Sequence, residues 1–140
     1  METVVTQVSS AFVADPDLIR ELEKRSRPVA SGTDRVLFRE GDEPTGVYIL
    51  RKGTARLTSR SQGASTLSIR AGAGSLLGLP AVIGTKPYTL TAEALEGAEL
   101  SMLTCEDFVN LMNTEPSLSF RVLQVLAEEV RFARETLSHR

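Results

Sequence analysis

The sequence predicts a mainly β domain: a roll of short strands flanked by helices and closed by a long C-terminal helix. Three observations carry that expectation. Between Arg35 and Leu103 apolar residues recur with a period of two, as half-buried strands require. Glycine-centred turn signals interrupt that stretch at intervals suited to an antiparallel roll or barrel. From Pro116 onward the apolar spacing becomes helical and forms two stripes rather than one.

The first predicted element is a helix over 15–26. Asp15 is placed to cap it, Pro16 suits the first helical position, and Leu18, Ile19 and Leu22 give it an apolar stripe that ends before Pro28. The roll is predicted over 35–103. Its strands are Val36 to Phe38, Val47 to Leu50, Ala55 to Leu57, a short one at Leu67 and Ile69, and a last one from Ala98 to Leu103. The turns between them fall at Gly41-Asp42, Gly46, Lys52-Gly53, Gln62-Gly63 and Gly72-Ala73-Gly74. Pro80 to Ile83 suits a single helical turn. A strong alternation then follows, with Tyr88, Leu90, Ala92 and Ala94 on one face and Thr89, Thr91 and Glu93 on the other. Two helices over 104–140 close the chain. Thr104 with Asp107 resembles a capping box for the first, and the second runs from near Pro116 to about Leu137.

Composition bounds the function. A chain of 140 residues, 41% apolar and 24% charged, has the bulk for one domain with one core, and 1–140 reads as a single unit without repeat or linker. Sixteen basic and 18 acidic residues are mixed along the length, so no basic stripe is available to neutralise a nucleic-acid backbone. Direct nucleic-acid binding is not expected. A single cysteine, Cys105, and a single histidine, His139, supply neither an internal disulfide nor a zinc ligand set. No metal or cofactor is expected. With no signal-like N-terminus and no long apolar run, the expected location is cytoplasmic and away from membranes. No nucleophile elbow, phosphate-binding loop or paired-carboxylate motif is present, so the chain reads as non-enzymatic. Cys105 reads as a small apolar residue, and Glu128-Glu129 as a solvated helix face.

The stretch Ala71 to Ala94, AGAGSLLGLPAVIGTKPYTLTAEA, resembles without a gap the phosphate-binding cassette of cyclic nucleotide-binding domains, as found in the bacterial Crp/Fnr regulators. Upstream, Leu37 to Gly53 (LFREGDEPTGVYILRKG) resembles that family's Gly-Asp turn and Tyr-Ile-Leu strand. The closing helices are similar to its hinge-proximal and dimerisation helices. The resemblance implies a double-stranded β-helix, jelly-roll-like, with a long C-terminal dimerisation helix, serving regulation and signal transduction. It places ligand contacts at Gly74, Leu77, Gly78, Leu79, Pro80, Ala81, Tyr88, Thr89 and Leu90. In such a cassette, glycines let backbone N–H groups of a turn and a helix start face an anion.

Two positions depart from the family pattern. A glutamate that accepts from the ribose hydroxyl is replaced by Leu79, and an arginine that pairs with the cyclic phosphate is replaced by Tyr88. A hydrogen bond to a charged group contributes about 1.5–3 kcal/mol, so losing both removes roughly two to four decades of affinity. Conventional binding of cyclic AMP or cyclic GMP is therefore not expected. The alternation directs the Tyr88 ring inward, where the arginine pointed, and Leu79 adds apolar bulk at the ribose end. The site is then either filled by its own side chains or reshaped for a less anionic small molecule. Lys86, the nearest cation, reads as a solvated loop residue.

In the last helix Leu123, Leu126, Val130, Ala133 and Leu137 are spaced as a two-heptad a/d seam, while Leu118, Val122, Val125 and Phe132 form a second stripe. About 22 residues span roughly 33 Å, too far to lie wholly on the parent roll. The second stripe is assigned to the roll and the heptad seam to a partner helix in a homodimer. The Crp/Fnr helix-turn-helix does not follow within this chain, so DNA binding is not carried over. Two functions remain, a ligand-responsive regulatory module whose ligand has changed or a constitutive dimerisation and interaction platform with a dead site, beside the alternative that the chain is the effector half of a longer transcription regulator.

Overall fold

The computed structural model describes residues 3–9, 12–29, 35–59 and 65–138. A five-stranded sheet contains, in spatial order, β1 (Thr3–Ser9), β6 (Ser65–Ala71), β5 (Ala55–Ser59), β8 (Thr91–Ala94) and β3 (Val36–Phe38). A four-stranded sheet contains β2 (Arg27–Pro28), β9 (Glu99–Thr104), β4 (Gly46–Lys52) and β7 (Leu76–Leu77). Four helices flank them: α1 (Pro16–Glu23), α2 (Leu79–Gly84), α3 (Cys105–Thr114) and α4 (Pro116–Ser138). This is the mainly β roll with flanking helices that the sequence predicts.

Strand β4 shows how the chain builds two apolar layers. Its first five residues, Gly46 to Leu50, are all buried. Val47 and Ile49 pack into a cluster with Leu18, Leu22, Leu79, Leu103, Phe108, Leu111, Leu118 and Val122, which fills the space between the four-stranded sheet and the helices. Tyr48 and Leu50 point the other way, into a cluster with Phe38, Leu57, Ile69, Tyr88 and Leu100 drawn from both sheets. A strand covered on both faces reads as an unbroken apolar run, as Val47 to Leu50 does.

The helices begin where local chemistry directs. Asp15 accepts the Leu18 amide at 2.9 Å, with Pro16 at the first helical position of α1. Thr104 accepts the Asp107 amide at 3.1 Å at the start of α3. The Glu115 amide ends α3 on the Leu111 carbonyl at 2.9 Å, and Pro116 opens α4 because it lacks the N–H an unbroken helix would need. Arg121 of α4 pairs with Asp15, tying the long helix to the start of α1.

Four features differ from the sequence expectation. A seven-residue strand, β1, precedes the Asp15 helix and lies parallel to β6, so the roll is not wholly antiparallel. Helix α1 ends at Glu23 rather than near 26, because the chain must turn to set Arg27 and Pro28 against β9. Strand β7 joins β4 on the strength of two residues. The alternation over 88–94 forms a strand only from Thr91, since the Tyr88 backbone bonds the turn at Gly41 and Asp42, at 2.8 and 2.9 Å, instead of a ladder. Among the described residues no helix is long and apolar enough to cross a membrane.

Candidate functional site

The cassette turn leads from β6 into β7. Ser75 closes it by donating through its hydroxyl to the Gly72 carbonyl at 2.6 Å, while the Gly74 amide donates to Leu50 at 2.7 Å. Gly74 is therefore bound into the roll, and its N–H is not presented to a ligand. Gly78 then turns the chain into α2 with φ of +95°, a conformation that favours glycine. A Cβ there would stand 2.9 Å from Cε1 of Tyr88, so the absent side chain also makes room for the tyrosine ring.

A cavity of about 30 Å³, space for one or two waters, opens at this point. Leu77, Gly78, Pro80 and Ala81 line it from the cassette, and Tyr88, Thr89 and Leu90 from the segment leading to β8. Phe12, Phe38, Leu57 and Glu129 complete the lining. Gly74 and Leu79 lie outside it. Leu79 is fully buried in the cluster beneath the helices, because the first turn of α2 directs it there, and it is not part of the cavity lining. Lys86 is exposed and is also absent from the lining.

Tyr88 is held from both ends. Its ring stacks on Phe38 with centroids 3.8 Å apart and planes 13° from parallel. Its hydroxyl donates to the Gly46 carbonyl at 2.8 Å and accepts from the amides of Thr45 at 3.0 Å and Gly46 at 3.2 Å. The side chain is 2% exposed. Tyr48, tilted against Phe38 at 5.7 Å, donates to the Leu37 carbonyl at 3.3 Å, and burial pushes its phenol upward from the ordinary range.

Glu129 overturns the solvated-face reading of Glu128-Glu129. Glu128 is exposed and paired with Arg131 at 3.2 Å, but Glu129 is only 7% exposed and lines the cavity. Its Oε2 has no hydrogen-bond partner among the described residues, and burial pushes the carboxyl up to about 8. The spacing carried the signal, for Leu118, Val122, Val125, Glu129 and Phe132 step by four, three, four and three residues along one helix face. Phe132 meets Phe12 edge-on at 6.2 Å on that face. Cys105 is half-buried, its thiol donating to the Pro44 carbonyl at 3.4 Å and raised by burial.

The proposed dimer seam divides. Leu123 and Val130 are exposed, at 52% and 47%, and Phe120 joins them at 65%. Leu126 instead packs against the chain's own cluster beneath the helices, because the turn of α4 that buries Val122 and Val125 carries it inward as well. The side chains of Ala133 and Leu137 lie outside the described residues.

Comparison with known proteins agrees with this architecture. The cyclic nucleotide-binding domain family matches residues 30–115, and the chain belongs to that family. The transcriptional activator protein FnrA of Stutzerimonas stutzeri is 30% identical over 123 residues, which cover 87% of this chain and 49% of that protein. The fold is similar to Thermus thermophilus catabolite activator protein, with a TM-score of 0.75 at 22% identity, covering 89% of this chain and 59% of that one. It is also similar to oxidised CprK in complex with o-chlorophenolacetic acid, with a TM-score of 0.72 at 15% identity, covering 96% and 55%. Another curated relative is the fumarate and nitrate reduction regulatory protein of Vibrio cholerae, and the chain spans about half the length of these two curated regulators.

Proposed function

We propose that this chain is a non-enzymatic regulatory domain whose cassette does not take cyclic nucleotides in the family's manner, and whose long helix α4 passes the state of the site to a second copy. Tyr88 is the observation that carries this reading. Where the resemblance places a phosphate-binding arginine, a neutral ring fills the space, and its hydroxyl is already engaged with Thr45 and Gly46. The remaining 30 Å³ has no room for a nucleotide, and a phosphate there would be desolvated without a cation.

Glu129 favours a ligand-responsive site over a dead one. A site that had only to be filled would favour an apolar side chain at this point of the α4 stripe, since a buried carboxyl without a partner costs stability. The exposed Phe120, Leu123 and Val130 lie on the same helix, which would couple the cavity to a homodimer interface. The names of the curated relatives support reading the domain as the effector half of a transcription regulator. CprK, solved with o-chlorophenolacetic acid, is an example of a protein with a similar fold and a ligand that is not a nucleotide.

The test is thermal unfolding with millimolar cyclic AMP and cyclic GMP, for the native chain and for Tyr88→Arg. A ligand at about 100 times its Kd adds about 2.7 kcal/mol, a shift of several degrees in a domain of this size. The native chain is expected to stay flat and the arginine variant to gain a shift. A strong shift of the native chain would overturn the reading.

A further inference from the structure

Among the described residues two buried side-chain oxygens lack a hydrogen-bond partner, Ser101 Oγ and Glu129 Oε2, and Glu129 lines a cavity. That cavity is also lined by three aromatic rings, Phe12, Phe38 and Tyr88, and by no lysine or arginine among the described residues. An anion therefore finds no cationic partner in this lining, while a cation with N–H groups finds both an acceptor and aromatic faces. The volume suits a head group of about two heavy atoms, since 30 Å³ holds one or two waters. Pro80 and Thr89, both exposed and both in the lining, mark the mouth through which a longer ligand would leave.

We propose that the cavity seats an aliphatic primary ammonium group, its N–H groups donating to Glu129 and its charge lying against the aromatic lining. This rests on the reading of the cavity as a ligand site and names the ligand's class. The charge of the site is inverted relative to a cyclic nucleotide pocket: the protein supplies the anion and the ligand the cation. Burial holds the free Glu129 carboxyl mostly protonated at neutral pH, so binding transfers its proton to bulk water as the carboxylate forms opposite the ammonium. Tyr88 is the other titratable group in the lining, and its hydroxyl is committed to Gly46. The ammonium would dock on α4 itself, the helix that carries the exposed Phe120, Leu123 and Val130, so occupancy acts directly on that element.

The experiment is calorimetric titration of the full chain with n-butylammonium chloride at matched ionic strength, in two buffers of different ionisation heat. n-Butanol serves as the neutral isostere and cyclic AMP is titrated in parallel. Glu129→Gln keeps the size of the side chain and removes its charge, while Glu128→Gln removes a neighbouring charge that faces solvent. The expected result is saturable butylammonium binding with proton release, weakened about tenfold or more in Glu129→Gln and unchanged in Glu128→Gln, with butanol binding more weakly. Equal binding by the native chain and Glu129→Gln, equal binding of butanol, or no butylammonium binding would overturn the proposal. Failure with cyclic AMP also silent overturns the ammonium proposal alone, whereas saturable binding of cyclic AMP overturns the reading beneath it as well.

Discussion

Tyr88 performs locally the structural work of a buried anchor, and it does so at the cost of the position's capacity to hold an anion. Its hydroxyl bonds three backbone groups of Thr45 and Gly46 at the start of β4. Tyr88→Phe should therefore lower stability by about 1–3 kcal/mol in urea unfolding, more than the loss of an exposed hydroxyl would cause. Glu129 makes a pH-dependent contribution of definite sign. Its carboxyl is raised from 4.5 to about 8 in the folded chain, so the folded state holds the proton more tightly. The associated stability is fully present below about pH 4.5 and is lost as pH rises through 8. Between pH 5 and 8 the native chain should lose on the order of 2–4 kcal/mol relative to Glu129→Gln, which melting curves across that range would show. The inward direction of Tyr88 was legible because alternation alone fixes the face. Glu129 was obscured because two adjacent acids on a helix usually face water, although its place in the four-three repeat with Val125 and Phe132 marked it as inward.

At the scale of elements, the starts of α1 and α3 were written in capping chemistry and strand boundaries were not. Asp15 with Pro16, and Thr104 with Asp107, placed two helix starts within a residue. Strand β1 was overlooked, although Thr3, Val4, Val5, Thr6 and Val8 form a β-branched run, because nothing in one segment declares a partner 60 residues away. Strand β7 is too short to show any period. The segment before β8 keeps the burial alternation of a strand while its backbone bonds a turn, so periodicity correctly gave the facing and not the ladder. Helix α4 is held chiefly by Leu118, Val122 and Val125, buried against α1 and α3. Leu118→Ala should cost about 2–4 kcal/mol in urea unfolding, with the cavity it leaves adding to the transfer loss. A cost below 1 kcal/mol would mean that α4 is not fastened at this point.

At the scale of the whole molecule, α4 joins three regions that the sequence reading treated separately. Its first half seals the apolar layer beneath the helices, Glu129 reaches the cavity, and Phe120, Leu123 and Val130 remain exposed. Replacing Leu123 and Val130 with glutamate should abolish self-association in sedimentation equilibrium. Because both side chains are exposed, monomer stability should change by no more than about 0.5 kcal/mol per site. Undiminished self-association would place the interface elsewhere. The family and its roll were legible from the spacing of Gly74, Gly78 and the following strand, because turn geometry permits few residue types. What the pocket holds was not, since it depends on which way Leu79 and Glu129 face in three dimensions. The most direct test of a cassette closed by Tyr88 is the amide NMR spectrum of the native chain during titration with millimolar cyclic AMP. The amides of Gly46, Gly78 and Ala81 should remain unmoved; saturable shifts at those three would contradict the closed site.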